Sequence, residues 1–224
     1  MKLLKLVGVL LDYPRDELWE YREELLAAAE DTLLPVSRRR ELAEFARHLL
    51  EADPLTAQEA WLATFDRGRF LSLLVFEHIH GESRDRGQAM ADLIEAYRKQ
   101  GFELAANELP DYLPLMLEYL SQRPGSEARE WLQHIHPILG LLAARSAERH
   151  SAYAVLFEIL VELADVTLDY SPLRRRASAE PRDDTPEAMD RVWEEEAVRF
   201  MAEAPIEGST PRDEKPQTLQ GTRS

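Results

Sequence analysis

Two His-X-His pairs are the residues of this sequence whose type and spacing first suggest chemistry. The pairs are His78 with His80, and His134 with His136. Imidazoles bind transition metals, but residues two apart on an α-helix point about 200° away from each other and cannot chelate one ion. Because the surrounding apolar spacing is helical, we expect both pairs to be structural. The alternative is a metal- or nucleotide-dependent enzyme that uses His78, His80 and Glu82.

The segment GESRDRG, residues 81–87, offers a second kind of chemistry, the binding of a phosphate at a helix N-terminus. It places Arg84 and Arg86 beside two glycines. However, it lacks the glycine-rich loop of a nucleotide-binding motif and the strand that should precede one, and its own acids would repel an anion. We favour a helix start, capped by Ser83 or Asp85.

Composition excludes several other classes of function. The 224 residues include no cysteine, which removes thiol nucleophiles, disulfides and cysteine-zinc sites and suits a reducing cytoplasm. With 27 basic and 42 acidic residues the net charge is −15, which repels nucleic acid and anionic lipid and would attract basic peptides. The N-terminal apolar run is interrupted at Lys5 and ends at Asp12, well short of a membrane span. We expect a cytoplasmic protein that binds no nucleic acid and does not insert into membranes.

The elements that must position these residues are all predicted to be helices. Apolar residues recur at the helical spacing in one segment after another, and period-2 alternation of β-branched residues is lacking. Asp53 with Pro54 opens one helix, and Gly101 ends another. The segment 70–79 is apolar nearly all round, which predicts a central buried helix, and 153–168 predicts a last long one. The expected fold is all-α, a single globular multi-helix domain of about eight helices.

The sequence changes character after Tyr170. Residues 171–184 are polar and marked by prolines, which predicts a linker. Asp184 or Thr185 then serves as the cap of a helix that begins with a proline and reaches residue 204. Beyond it no apolar periodicity remains, which predicts disorder. The expected organisation is a helical domain over 1–170, a linker plus C-terminal helix over 171–204, and a disordered tail over 205–224.

The segment NELPDYLPLMLEYLSQ, residues 107–122, is the strongest candidate for a binding surface. If Asp111 is the N-cap, Pro114 falls in the first turn, where no intrahelical donor is needed. A row of acidic and apolar residues then follows the helix: Glu108, Asp111, Leu115, Glu118. One interpretation is a solvated acidic face beside a core face. The other is a groove with an apolar floor and an acidic rim, suited to a basic amphipathic peptide.

Four segments together carry a resemblance to a known family. They are FDRGRFLSLLVFEHIHGESRDRGQAM (65–90), ELPDYLPLMLEYLSQ (108–122), YAVLFEIL (153–160) and DDTPEAMDRVWEEE (183–196). These segments closely resemble the NarJ family, the nitrate reductase molybdenum-cofactor assembly chaperones, within the redox-enzyme maturation chaperones that include TorD and DmsD. The similarity extends from the N-terminus to about residue 203. It implies a TorD-like helical bundle that is not an enzyme.

The resemblance also implies partners and a role. Such chaperones bind the N-terminal segment of the apo nitrate reductase α subunit, alone or in the αβ complex, in the cytoplasm. They delay membrane attachment until the molybdenum cofactor is inserted, without binding a cofactor stably themselves. Molybdenum cofactor biosynthesis proteins are possible further partners. The bound segment is basic and amphipathic, which fits the acidic chain.

Site residues follow from the same resemblance, motif by motif. The ExPD motif of the wider family matches Glu108, Pro110 and Asp111, and the DRGR and GESRDRG motifs match 66–69 and 81–87. The candidate peptide-binding residues are Glu108, Pro110, Asp111, Tyr112, Leu115, Glu118 and Tyr119. The candidates for shaping the groove are Asp66, Arg67, Arg69, Glu77, His78, His80, Glu82, Arg84, Asp85 and Arg86.

Overall fold

Helices account for nearly all regular structure in this protein, as a computed structural model shows. The structure describes residues 2–81, 83–105, 108–185, 187–188 and 190. Within them lie eleven α-helices and no strand, apart from one isolated antiparallel bridge, so the predicted all-α fold is confirmed. The helices are α1 (Lys2–Leu11), α2 (Glu17–Glu20), α3 (Arg22–Glu30), α4 (Val36–Glu51), α5 (Pro54–Phe65), α6 (Val75–His80), α7 (Asp85–Lys99), α8 (Leu113–Ser121), α9 (Gly125–Glu148), α10 (Ala154–Leu163) and α11 (Tyr170–Ala179).

The long helix α9 is the centre of the bundle. Helices α6, α8, α10 and α11 pack against it, while α1 packs on α8 and α3 on α4. Aromatic rings join these layers: Phe65 meets Tyr153 at 4.8 Å and Phe157 at 6.4 Å between ring centroids, both edge to face. Such pairs add to the burial of apolar area. The YAVLFEIL segment therefore contributes to the core.

Two helix ends follow the predicted local rules. The Asp53 carboxylate accepts a hydrogen bond from the Thr56 backbone N–H at 3.2 Å, with Pro54 at the first helical position. At the end of α7, Gly101 adopts a φ of 75°, and Phe102 N–H donates to the Tyr97 carbonyl at 3.0 Å. This is the Schellman arrangement, which needs a left-handed residue and so favours glycine. Both predicted helix boundaries are confirmed.

Helix α9 continues through Pro137. Proline has no N–H to donate to the carbonyl four residues earlier, which is that of Gln133. In the structure the Nδ1–H of His136 donates to this same carbonyl at 2.6 Å. The imidazole thus replaces the missing backbone donor, which explains why a histidine precedes the proline.

The predicted helix over 70–79 is wrong in its first half, because α6 begins only at Val75. Residues 70–74 instead run beside the segment before α8. Leu74 and Tyr112 form the isolated antiparallel bridge, and the Leu113 N–H donates to the Leu73 carbonyl at 2.8 Å. Hydrogen bonds to a distant segment override the helical preference of this apolar run.

The stretch after Tyr170 also differs from the sequence-based prediction of a linker. Residues 170–179 form α11, which Asp169 caps by accepting from the Ser171 N–H at 2.9 Å. Leu173 lies against Gly140, where a Cβ would come within 3.0 Å of its Cδ1. Except for Asp190, the described residues all belong to the first of the two units of the chain, Met1–Met189. Most of the predicted C-terminal helix, and the tail 205–224, lie outside the described residues.

Candidate peptide-binding groove and the motif network beside it

The ELPDYLP and FEHIHGESRDRG segments meet at a single buried carboxylate, that of Asp111. Its side chain is completely buried, and its Oδ2 accepts a hydrogen bond from the Phe76 backbone N–H at 3.0 Å. The Arg86 guanidinium lies 3.9 Å from the same oxygen. Burial raises the pKa of Asp111, against the opposing effects of the Phe76 hydrogen bond and the Arg86 charge. This carboxylate fixes α6 and α7 relative to the start of α8.

Asp111 is therefore neither the helix cap nor the acidic rim that the sequence predicts. The N-cap of α8 is Tyr112, and Pro114 falls at the second helical position. Pro114 lies in the first turn, as predicted, but one residue closer to the helix start than predicted. Because its side chain is excluded from solvent, Asp111 stabilises the segments around the site from the protein interior.

Glu77 and His78 complete this network. The Glu77 carboxylate lies 3.4 Å from Arg86. The Nε2–H of His78 donates to the Ser72 carbonyl at 2.8 Å, while Nδ1 faces a guanidinium N–H of Arg145 at 3.4 Å. Burial and the Arg145 charge lower the pKa of His78, so a neutral ring with its proton on Nε2 fits both contacts.

The remaining histidines of the two pairs also have protein partners. His80 packs edge to face on Phe76, with ring centroids 5.6 Å apart. The Nδ1–H of His134 donates to the Glu130 carbonyl at 2.7 Å. Among the described residues no group of three His, Cys, Asp or Glu could hold a metal ion. Glu82, the third member of the alternative enzyme site, lies outside the described residues.

The DRGR segment contacts the beginning of DDTPEAMDRVWEEE. The Asp183 carboxylate accepts hydrogen bonds from the Phe70 backbone N–H at 2.8 Å and from Arg149 at 2.7 Å. Gly68 is needed here, because a Cβ at that position would lie 2.6 Å from this carboxylate. Arg145 makes a two-point ion pair with Glu180, at 2.7 and 2.6 Å. The beginning of the fourth segment, at Asp183, is thus anchored on the first.

The other predicted groove-shaping residues lie around this network. Asp66 follows the last residue of α5, and its N–H donates to the Leu62 carbonyl at 3.0 Å. Arg67 and Arg69 are exposed on the loop that follows. Arg84 is the residue before α7 and Asp85 its first residue, and neither supplies a side-chain cap. The predicted cap by Ser83 or Asp85 is therefore wrong.

A groove of about 410 Å³ lies between α1 and α8. Its apolar floor comes from Val9, Leu74, Leu109, Pro114 and Leu115, and its acidic side chains are Asp12, Glu108 and Glu118. The two helices approach closely at Gly8, where a Cβ would lie 3.2 Å from the Pro114 carbonyl oxygen. Tyr112 donates its hydroxyl proton to Asp12 at 2.7 Å, which ties the α1 side of the groove to the α8 side.

The structure divides the seven candidate peptide-binding residues into two sets. Glu108, Tyr112, Leu115 and Glu118 line the groove. Pro110, Asp111 and Tyr119 are buried and do not line it. The Tyr119 ring packs between Tyr97 at 4.6 Å and Trp131 at 5.7 Å, and the Pro110 carbonyl accepts from the Tyr97 hydroxyl at 2.9 Å. These three residues hold α8 in place.

The α1 side of the groove was not predicted from the sequence. Lys5, Val9, Asp12 and Arg15 line the groove and also line a neighbouring cavity of about 680 Å³ toward α2 and α3. The available signal was the apolar N-terminal run, which Lys5 interrupts and Asp12 ends. A signal of this kind indicates one exposed face, but it does not indicate which helix packs opposite.

A third cavity, of about 600 Å³, lies on another side of α1. It is lined by α1, by the end of α3 and by the segment after it, with Leu3, Leu6, Leu34 and Leu163 among its apolar residues. Its charged lining residues are one lysine, Lys2, and one acid, Asp31. It is therefore larger and more apolar than the groove but has no excess of negative charge.

The fold is an all-α helical domain that carries an acid-rimmed groove. The chain belongs to the nitrate reductase delta subunit family, whose model matches residues 32–158. It is 51% identical over 201 residues to the nitrate reductase molybdenum cofactor assembly chaperone NarJ of Escherichia coli K12, covering 89% of this chain and 85% of that protein.

Two further relatives carry related names. The probable nitrate reductase molybdenum cofactor assembly chaperone NarW of E. coli K12 is 46% identical over 90% of this chain and 84% of its own length. The probable NarJ of Bacillus subtilis is 33% identical over 69% of this chain and 84% of its own length. Within the residues that the structure describes, no helix is both long and apolar enough to cross a membrane.

Proposed function

We propose that this chain is an assembly chaperone that binds the N-terminal segment of the apo nitrate reductase α subunit and supports insertion of the molybdenum cofactor. Membership of the delta subunit family and the names of its relatives support this role. We further propose that it acts in the cytoplasm on the α subunit, alone or in the αβ complex, before membrane attachment. In this proposal it catalyses no reaction and holds no cofactor stably, and molybdenum cofactor biosynthesis proteins are further partners.

The observation that carries the proposal is the groove between α1 and α8. An amphipathic helix could place its apolar face on Val9, Leu109 and Leu115 and its basic residues near Asp12, Glu108 and Glu118. Exposed ion pairs contribute only about 0.2–1 kcal/mol each. We therefore expect the apolar contacts to supply most of the affinity, while the charges set orientation and the association rate.

Charge favours the groove over the 600 Å³ cavity as the binding site for a basic segment. Apolar area alone would favour that cavity, since it is the larger of the two and the more apolar. A basic segment, however, gains nothing from a lining with one lysine and one acid. The groove presents three acids against Lys5 and Arg15, so it is the better match for a basic partner.

Calorimetric titration of the full chain with a synthetic α-subunit N-terminal peptide tests the proposal. The variant Glu118→Lys reverses one exposed rim charge, and Glu130→Lys makes the same change at an exposed position of α9 outside the groove. We expect Glu118→Lys to weaken binding several-fold, by roughly 1 kcal/mol, and Glu130→Lys to leave it unchanged. Absence of binding by the unmodified chain, or equal effects of the two variants, would contradict the groove assignment.

A further inference from the structure

A cavity of about 290 Å³ beside the motif network has the opposite charge character from the groove. Four arginines line it, Arg69, Arg86, Arg145 and Arg176, and among the described lining residues Glu77 is the only carboxylate. Glu180 pairs with two of these arginines from the side, and Asp111 lies near a third. Among the described lining residues the charged groups are thus mostly guanidinium groups, in a chain of net charge −15.

Arg145 is a fixed part of this cavity. Its side chain is almost fully buried, and besides Glu180 it donates to the Phe70 carbonyl at 2.8 Å. Its guanidinium carbon also lies 4.7 Å from the centre of the Phe70 ring, a cation–π distance. This arginine is therefore held in one position by Glu180 and Phe70 and leaves ligand contact to its neighbours.

Arg176 and Arg86 can supply those contacts. Arg176 is 61% exposed, and its contact with Glu180 at 3.1 Å uses its Nε. Arg86 is less exposed, and among the described residues its buried Nε has no hydrogen-bond partner. A guanidinium offers a planar set of donors that matches phosphate oxygens. Phe70 and Leu141 add an apolar wall on which the organic part of an ester could rest.

We propose that this cavity binds a small phosphate-bearing molecule, held by Arg86 and Arg176 beside the fixed guanidinium group of Arg145. Of the two arginines near the start of α7, Arg86 thus acts through its side chain in the cavity. The helix N-terminus itself plays no part. The site is independent of the peptide groove, so each can fail without the other.

Titration of the full chain with inorganic phosphate and with phenyl phosphate tests this site. We expect saturable binding of one phosphate group, with phenyl phosphate bound more tightly because of the apolar wall. Arg176→Gln should weaken binding about tenfold, the equivalent of one charge-assisted hydrogen bond. The matched control is Arg129→Gln on α9. Arg129 is also mostly exposed, and it forms an ion pair with Asp165 at 3.9 Å. This variant should bind like the unmodified chain.

A second variant moves affinity in the opposite direction. Glu180→Gln removes a competing negative charge from Arg145 and Arg176, so it should strengthen binding roughly threefold or more. The imidazole resonances of His78, whose ring faces Arg145, should shift on saturation while those of His134 should not. Binding that is absent, or that is unchanged in both Arg176→Gln and Glu180→Gln, would overturn the proposal, as would shifts at both histidines.

Discussion

The contact between Asp183 and the DRGR loop gives the sharpest prediction about stability. Replacing Asp183 by alanine removes two hydrogen bonds, one from the Phe70 N–H and one from Arg149. Both are charge-assisted, and the two side chains of the ion pair are only 19% and 14% exposed, so solvent screens them little. Hydrogen bonds to charged groups contribute about 1.5–3 kcal/mol each. Allowing for partial screening and for the nearby Asp184, we expect a loss of about 3 kcal/mol.

Thermal unfolding of the full chain, followed by far-ultraviolet circular dichroism, measures this loss. For a domain of 150–250 residues, each 1 kcal/mol lowers Tm by about 2–4 °C, so Asp183→Ala should lower Tm by roughly 6–12 °C. The matched variant Asp183→Asn keeps an acceptor for Phe70 and loses only the charge facing Arg149. Its cost should therefore be about half as large.

A double-mutant cycle with Arg149→Gln separates the contribution of the Asp183–Arg149 ion pair from that of the other contacts of Asp183. We expect the effects of Asp183→Ala and Arg149→Gln to be strongly non-additive, because each removes the same contact. A Tm for Asp183→Ala within about 2 °C of the unmodified chain would refute the reasoning. In that case the segment after α11 would not stabilise the DRGR loop.

Two further predictions concern single contacts. Burial raises the pKa of Asp111, so its carboxyl group stays protonated to higher pH in the folded chain than in the unfolded chain. The stability of the folded chain therefore falls as the pH rises from about 3.8 through the raised pKa of the folded state. The variant Asp111→Asn cannot ionise at this position. Urea unfolding over the same pH range should therefore show its stability rising relative to that of the unmodified chain. Parallel pH profiles of the two proteins would contradict this. His136→Ala should cost roughly 0.5–1 kcal/mol, because the Gln133 carbonyl loses its donor. In a Pro137→Ala background, which restores the backbone N–H, the same substitution should cost nothing measurable, and an equal cost in both backgrounds would show that the imidazole does not replace that donor.

The helical architecture could be predicted because most segments show their apolar spacing locally. The exceptions are segments whose structure depends on distant partners. Residues 70–74 look helical but pair with the chain before α8, and residues 170–179 look like a linker but bury Ala177. Neither partner can be found from local periodicity. Pro137 does not end α9, since a neighbouring side chain supplies the hydrogen bond that the proline lacks.

The candidate site was predicted in part for the same reason. The residue types at Glu108, Leu115 and Glu118 indicate a surface, and these residues line the groove. Asp111 has the same residue type and spacing, but α8 begins one residue later than predicted, and the Asp111 side chain is buried in the protein interior. The α1 side of the groove depends on which helix packs on α8, and that choice rests on close approach at Gly8. Motifs located the region, and packing determined which of their residues reach the surface.

Site-specific photocrosslinking tests most directly whether the groove between α1 and α8 binds the α subunit. A photoreactive phenylalanine analogue is placed at Leu109, which lines the groove and is 45% exposed, or at the fully exposed Leu33, which lines the larger apolar cavity. The α-subunit N-terminal peptide should crosslink from position 109 and not from position 33. Crosslinking from position 33 alone, or no crosslinking from position 109, would contradict the account.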